Sequence, residues 1–221
     1  MFAVIFEVRP RNGQFERYLD LARYLRSELE KIDGFVENER FASTLDASRV
    51  LSLSIWRDEK ALIRWRTHGM HHEVQLKGHL EVFEDYHLRV GEIVADSLLP
   101  DGQLPPQQRF DETDIGNAKA VTICEVPPAV GAAATWQSLA AYFGLPVSGV
   151  RGFIEQEVFE SIYNPGKLLL LGSWKDATSA EQWMPTKPAL EQLRLRRVRI
   201  IRDYGKADRR EAPQYFPVDG A

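Results

Sequence analysis

The chain carries the same sequence pattern twice. Residues 3–65 align without a gap on residues 121–183, and 19 of the 63 aligned positions are identical, whereas random pairing would give about 4 matches. The longest matching block begins at Gly34 in the first copy and at Gly152 in the second. In a chain of 221 residues, such a duplication predicts two small domains of similar fold that lean on each other.

Each copy is predicted to fold in the order β-α-β-β-α-β. Residues 2–8 read as a strand, and apolar residues spaced three and four apart between positions 12 and 32 predict an amphipathic helix. Residues 34–44 and 49–56 then predict a hairpin, Asp58 a helix N-cap, and residues 88–94 a last strand. The second copy repeats this pattern with a helical stripe over 133–150, an N-cap at Asp176 and a last strand over 198–203.

This order is that of the ferredoxin-like α+β unit, in which both helices cover one face of an antiparallel sheet. The uncovered face of each sheet must be buried, so we expect two tandem domains to close face to face into a pseudo-dimeric α/β barrel. The predicted organisation is an N-terminal domain over residues 1–95, a proline-containing linker over 96–117, a C-terminal domain over 118–205 and a tail over 206–221.

Composition excludes several classes of protein. The net charge of −4 arises from scattered residues, which gives no footprint for a nucleic-acid partner. The apolar runs are far shorter than the roughly 20 residues of a membrane helix, so we expect a cytoplasmic protein without a membrane partner. Cys124 is the only cysteine and is interpreted as a packing residue. The basic run over 194–199 is interpreted as a solvated face.

All five histidines lie between His68 and His87. Four polar residues are spaced four, three and four apart, so they share one face of a predicted helix, with His71 beside them: His68, His72, Gln75 and His79. This polar face could be exposed to solvent or lie at a subunit interface. The alternative is that it lines a pocket. His68 and His72 could also hold a metal ion, but no third ligand is evident and no metal site is predicted.

Two further sets of residues recur in both copies. Trp65 and its repeat partner Trp183 are more often core residues than catalytic ones. Six glutamates are also retained in pairs, and we expect salt bridges to the abundant arginines rather than acid–base catalysis: Glu7 and Glu125, Glu37 and Glu155, Glu39 and Glu157.

The first half resembles a known family. Its motif runs from Trp56-Arg57-Asp58-Glu59-Lys60-Ala61 through Trp65-Arg66, His68, His72, Gln75 and Gly78 to Phe83, Tyr86 and Leu88-Arg89-Val90. This pattern is similar to the antibiotic biosynthesis monooxygenase family of dimeric α/β barrels, over residues 2–95. The second half keeps the pattern only through Trp183 and looks like a diverged copy, in which no second active site is expected.

The resemblance implies a pocket between the sheet and the second helix. Matched to the family's cofactor-free oxygenases, the catalytic residues would be Trp65, His71 and Arg89. If the polar helix face lines that pocket, we expect His68, His72, Gln75 and Tyr86 to bind the substrate. The haem-degrading branch has an iron-binding histidine and a first-strand asparagine where this chain has Gln75 and Phe6, which argues against haem as a cofactor.

The expected function is cofactor-independent oxidation of a small aromatic or polyketide-like molecule. A histidine would take a proton from the substrate, the anion would react with dioxygen, and Arg89 would stabilise the developing oxyanion. The competing interpretation is a non-catalytic ligand-binding or stress-related barrel, with a haem-binding protein as the third. A homodimer is compatible with the sequence, since sheet edges favour pairing without requiring it.

Overall fold

The computed structural model describes residues 1–100, 102–128, 150–184 and 193–213. The predicted second-copy helix over 133–150, the segment 185–192 and the end of the tail therefore lie almost entirely outside the described residues. The first half contains β1 (Phe2–Pro10), α1 (Phe15–Leu29), β2 (Phe35–Ser43), β3 (Val50–Trp56), α2 (Glu59–Arg66), α3 (Gly69–Lys77), a π-helical turn (Gly78–Val82) and β4 (Phe83–Asp96). The second half contains β5 (Ala120–Val126), β6 (Phe153–Ser161), β7 (Leu168–Trp174), α4 (Ala177–Gln182) and β8 (Arg194–Gly205).

The eight strands form one closed antiparallel barrel in the order β1-β3-β2-β6-β7-β5-β8-β4. Each half contributes four adjacent strands. The halves are joined by β2 with β6, over three residue pairs, and by the much longer pairing of β4 with β8. This edge-to-edge joining was not predicted, and it leaves each of the eight strands with a neighbour on both sides.

The hairpins and helix starts were predicted correctly. β2 and β3 pair as expected, as do β6 and β7. The side chains of Asp58 and Asp176 accept hydrogen bonds from the backbone N–H groups of Ala61 and Ser179, which satisfies a donor at each helix N-terminus. The long second helix expected after Asp58 is instead divided, because α2 ends at Arg66 and α3 begins at Gly69.

Successive side chains of each strand point alternately into the barrel and to its outer face. The interior core combines apolar side chains from both halves, among them Ile5, Leu53, Phe159 and Val198. The outer face of β1, with Phe2 and Val8, packs instead with residues of the helices. No helix of the described ranges is long and apolar enough to cross a membrane.

Five of the six retained glutamates form ion pairs, as predicted, and most of these pairs are buried in the barrel, although Glu37 is 42% exposed. Glu7 pairs with Arg49 and Arg89, and Arg49 also reaches Glu157. Glu125 pairs with Lys167 and Arg196, Lys167 also reaches Glu39, and Arg196 reaches Glu37. The oxygen of Glu155 lies 3.4 Å from the Ser173 hydroxyl.

The interpretation of the basic run as a solvated face is wrong. These arginines belong to β8 and alternate between the two faces of the barrel wall. Arg196 has no exposed surface, and Arg194 pairs with Asp96 at 2.7 Å. Strand alternation turns every second residue of the run into the barrel, where the retained glutamates compensate its charge.

Gly91 controls how closely the two halves approach at β4 and β8. A Cβ atom at this position would clash with Val198 Cγ1 and lie 2.5 Å from the backbone oxygen of Arg199. We expect Gly91→Ala to lower the free energy of unfolding by about 1–3 kcal/mol through overpacking. The control is Gly69→Ala at the start of α3, where nothing lies within 4 Å of an added Cβ. Urea unfolding that gives equal stabilities for both variants would contradict this role.

Candidate active site

A cavity of about 240 Å³ lies between the outer face of the sheet and the helices. Strands β1 to β4 supply its floor, and α1, α2 and α3 supply its roof. Its walls are largely apolar, with side chains such as Val4, Phe6, Leu25, Leu62 and Val90. A mostly apolar cavity with a few converging polar groups is the usual form of a small-molecule site.

Trp65 and His71 line this cavity together. Their rings are stacked, with centroids 4.4 Å apart and planes inclined by 22°. The Nδ1 atom of His71 lies 3.1 Å from the backbone oxygen of Trp65. Because a carbonyl can only accept, Nδ1 carries the proton in this contact, and the lone pair of the neutral ring is on Nε2.

The pKa of His71 is lowered to about 4, chiefly by burial, with the Trp65 carbonyl acting in the opposite direction. The imidazole is therefore neutral at pH 7. A neutral ring with its lone pair fixed on one nitrogen can accept a proton from a bound molecule.

Gln75 and Tyr86, two of the predicted substrate-binding residues, also line the cavity. The hydroxyl oxygen of Tyr86 accepts a hydrogen bond from Arg209 Nη1. Burial raises the pKa of Tyr86, so its hydroxyl keeps its proton at neutral pH and can donate it to an oxygen atom of a ligand.

Residues 206–213, the described part of the predicted tail, lie along the first half. Lys206 donates to the backbone oxygen of Phe83 at 2.7 Å, and Pro213 lines the cavity. The carboxylate of Glu211 accepts from the Thr113 hydroxyl and from the backbone N–H of Asp203. This segment thus forms one edge of the cavity.

A second polar group lies on β2 and β3. Arg40 Nη1 donates to Asn38 Oδ1 at 3.0 Å, and the Asn38 amide donates to the Ser52 hydroxyl and to the backbone oxygen of Leu53. Tyr18, on α1, completes the group at the cavity wall.

Arg89 does not line the cavity. It lies opposite Ile5 in the pairing of β1 with β4 and points into the barrel, while its neighbours Leu88 and Val90 point to the cavity. Its guanidinium is 1% exposed and bound to Glu7 and to the Ser173 hydroxyl at 2.8 Å. The expectation that Arg89 stabilises an oxyanion fails because the residue is on the wrong face of the sheet.

His68 and His72 are not part of the cavity lining either. His68 precedes α3 as its N-cap residue and its ring stacks on Trp65 at 5.7 Å, whereas His79 of the π-helical turn does reach the cavity. In the ranges that the structure describes, no group of three or more His, Cys, Asp or Glu side chains is placed to hold a metal ion.

Sequence reasoning missed Arg40 and Arg209. A signal for Arg40 was present in the repeat, because the aligned residue of the second copy is Val158, which is buried. A charged residue at a position that the duplicate fills with a buried valine indicates a role other than packing. No comparable signal marks Arg209, which lies beyond both copies.

The antibiotic biosynthesis monooxygenase family model matches residues 1–77. The chain is also 42% identical over 221 residues to jasmonate monooxygenase ABM of Pyricularia oryzae, covering 98% of this chain and 99% of that protein.

Among solved structures, an aldoxime dehydratase in complex with butyraldoxime has a TM-score of 0.54 at 12% identity, over 94% of this chain and 80% of its own, which shows a shared fold. An antibiotic biosynthesis monooxygenase structure matches 43% of this chain and 100% of its own, with 16% identity and a TM-score of 0.39. The agreement with the family model and with a relative along its whole length shows that this chain belongs to the antibiotic biosynthesis monooxygenase family.

Proposed function

We propose that this protein is a monooxygenase that oxidises a small, largely apolar molecule in the cavity, with dioxygen as the oxidant and without a metal or organic cofactor. The observation that carries the proposal is the His71–Trp65 pair, which brings a neutral imidazole with a fixed lone pair to the wall of an apolar cavity. His71 is the proton acceptor, Trp65 positions it by stacking, and Tyr86 donates to the developing oxyanion.

The reaction balances for a substrate with an activated methylene group, such as an anthrone. Nε2 of His71 takes one proton, the resulting carbanion gives its electrons to dioxygen, and the new C–O bond completes a hydroperoxide once His71 returns the proton. Loss of the second methylene hydrogen with cleavage of the O–O bond gives a carbonyl and one water. Dioxygen receives all four electrons from the methylene carbon, so no external reductant is needed.

A second substrate class is suggested by the relative from Pyricularia oryzae, whose name describes a jasmonate monooxygenase. A jasmonate is a cyclic ketone with an apolar chain and a carboxylate, and its apolar part suits the walls of the cavity. Hydroxylation of an unactivated carbon atom consumes two further electrons and two protons, so that reaction would require an added reductant such as NADPH. The need for a reductant therefore distinguishes the two substrate classes.

We further infer that the barrel is a fused pseudo-dimer of two ferredoxin-like domains, with the catalytic cavity in the first. The ion pairs support this inference, because exchange of the copies converts the chain Glu7–Arg49–Glu157 into Glu125–Lys167–Glu39. A single chain then supplies both halves of the barrel, and a homodimer would form through other surfaces.

The test is oxygen uptake by the purified protein with an anthrone. We expect one molecule of dioxygen to be consumed for each carbonyl group formed. The rate of oxygen uptake should be unchanged by a metal chelator, and the reaction should proceed without NADPH. Tight anthrone binding without oxygen uptake would instead favour a ligand-binding barrel. A Soret shift on titration with haem, followed by haem turnover, would contradict the proposal, since Gln75 stands where the haem-degrading branch has its iron ligand.

A further inference from the structure

We propose that the natural ligand of the cavity carries a carboxylate group, and that Arg40 with Tyr18 binds this group. The proposal concerns the substrate class of the cavity described above and rests on the proposed function for the identity of that site.

The cavity lining has an excess of positive charge. Four arginines line it, Arg40, Arg66, Arg202 and Arg209, against the single carboxylate of Glu59. That carboxylate is engaged by Arg109 from the linker, whose Nη1 lies 2.7 Å away. Cations at the wall of an apolar cavity are costly unless an anion compensates them, so a lining arginine that has no carboxylate partner would favour an anionic ligand over a neutral one.

The hydrogen bonding of the Arg40 guanidinium is incomplete. Its Nη1 donates to the Asn38 side chain, but its Nε atom is buried and without a hydrogen-bond partner. The described residues provide no carboxylate in an ion pair with Arg40, in contrast to Arg89 and Arg196, which are both paired with glutamates. A buried N–H group left without an acceptor costs about 1–3 kcal/mol, which a ligand oxygen would recover.

The Arg40 side chain is also held in place. Asn38 presents its oxygen to Arg40 because its own amide nitrogen donates to Ser52 and to the Leu53 backbone, at 3.1 and 3.0 Å. This arrangement fixes the guanidinium before a ligand arrives, which lowers the entropic cost of binding.

Tyr18 places a hydroxyl group beside Arg40. Its side chain is 5% exposed, and the side chains of Arg40 and Ser52 are within reach of its hydroxyl oxygen. Burial raises the pKa of Tyr18, while nearby Arg40 is the strongest opposing influence, so the two groups are close and the hydroxyl is protonated. The Arg40 Nε–H and the Tyr18 O–H can each donate to a carboxylate oxygen.

The test compares acids with their methyl esters in binding titrations followed by calorimetry. Two pairs serve as probes, jasmonic acid and 4-phenylbutanoic acid, each with its ester. We expect the wild-type protein to bind the acids about 10- to 100-fold more tightly than the esters, the range for hydrogen bonds to a charged group. In Arg40→Gln this preference should disappear while ester affinity is unchanged, and in Tyr18→Phe it should be reduced.

Arg9→Gln is the control, because Arg9 is an exposed arginine paired with Asp46, and it should keep the full preference. Equal affinity of the wild-type protein for acid and ester, failure of both acids to bind, or equal weakening of both forms by Arg40→Gln would overturn the proposal. If Arg40→Gln does not fold, the affinities for acid and ester are compared in Arg40→Lys and in Tyr18→Phe instead.

Binding and turnover separate the two proposals. Arg40-dependent binding of an acid, together with no oxygen uptake on an anthrone, supports the carboxylate site and overturns the proposed oxidation. Oxidation of an anthrone together with no acid preference supports the oxidation and overturns the carboxylate site.

Discussion

Replacing Arg89 with methionine is expected to lower the free energy of unfolding by about 3–5 kcal/mol, the usual cost of removing one partner of a buried ion pair. Arg89 and Glu7 are 1% and 4% exposed, so the remaining carboxylate would be left in the barrel with Arg49 and with the His87 ring, whose Nδ1 lies 3.8 Å away. Burial on its own raises the pKa of Glu7, yet Arg89 and Arg49 hold it below its usual value. Removing Arg89 takes away the larger of these two attractions.

The pH dependence of this loss gives a second readout. A carboxyl group with a depressed pKa contributes stability above its unfolded pKa and loses that contribution as the pH falls. Without Arg89 the pKa of Glu7 rises, because burial is then opposed mainly by Arg49, and protonation on acidification would relieve the unpaired charge. The difference in stability between wild type and Arg89→Met should therefore be largest at pH 7 and shrink on acidification, as measured by urea unfolding at each pH.

Arg49→Met is the matched control. Arg49 binds the other oxygen of Glu7 but is 33% exposed, so solvent compensates part of its loss and the expected cost is smaller. In the double variant Glu7→Leu with Arg89→Met no unpaired charge remains, and it should be more stable than Arg89→Met alone. Equal stability of Arg49→Met and Arg89→Met would show that burial does not set the strength of this pair.

The duplication predicted much of the fold, because identical residues at a constant offset mark equivalent local structures. Asp58 and Asp176 both cap helices, and Gly34 and Gly152 both have positive φ, at 92° and 75°. Each of these features depends on residues close in the chain, which a sequence pattern records directly.

The face on which Arg89 lies could not be predicted in the same way. β1 is apolar on both sides, since Phe2 and Ala3 are both fully buried, so its alternation does not identify the inner face. A shift of one residue in the pairing of β4 would exchange every side chain between barrel and cavity. Only the observed register, with Ile5 opposite Arg89, decides the question.

The histidine segment was predicted in part. The four-three-four spacing assumed one continuous helix, but the break between Arg66 and Gly69 makes His68 a cap residue. His71 was considered a neighbour of the polar face and is nevertheless the histidine that stacks on Trp65 most closely. The sequence gives little indication of this break beyond Gly69, whose low helix propensity is a weak signal.

His71→Phe is expected to lower kcat for oxidation by about 10²- to 10⁴-fold, the range for loss of a general base. Phenylalanine preserves an aromatic ring against Trp65, so the cavity should keep its shape. It removes both ring nitrogens, Nε2 that accepts the proton and Nδ1 that donates to the Trp65 backbone oxygen. His72→Phe is the matched control on the same helix, since His72 is adjacent in sequence but does not line the cavity.

The pH profile of the wild-type enzyme tests the same residue independently. Because burial lowers the pKa of His71 to about 4, its lone pair is available from neutral pH down to about pH 5 and is lost to protonation below that. The acid limb of kcat/KM, which reports the free enzyme, should therefore have its midpoint near pH 4 instead of near the usual histidine value of about 6.5. The residual activity of His71→Phe should lack this limb, with circular dichroism at each pH confirming that the barrel stays folded. A midpoint near 6.5, or equal losses in His71→Phe and His72→Phe, would assign the proton transfer to another group.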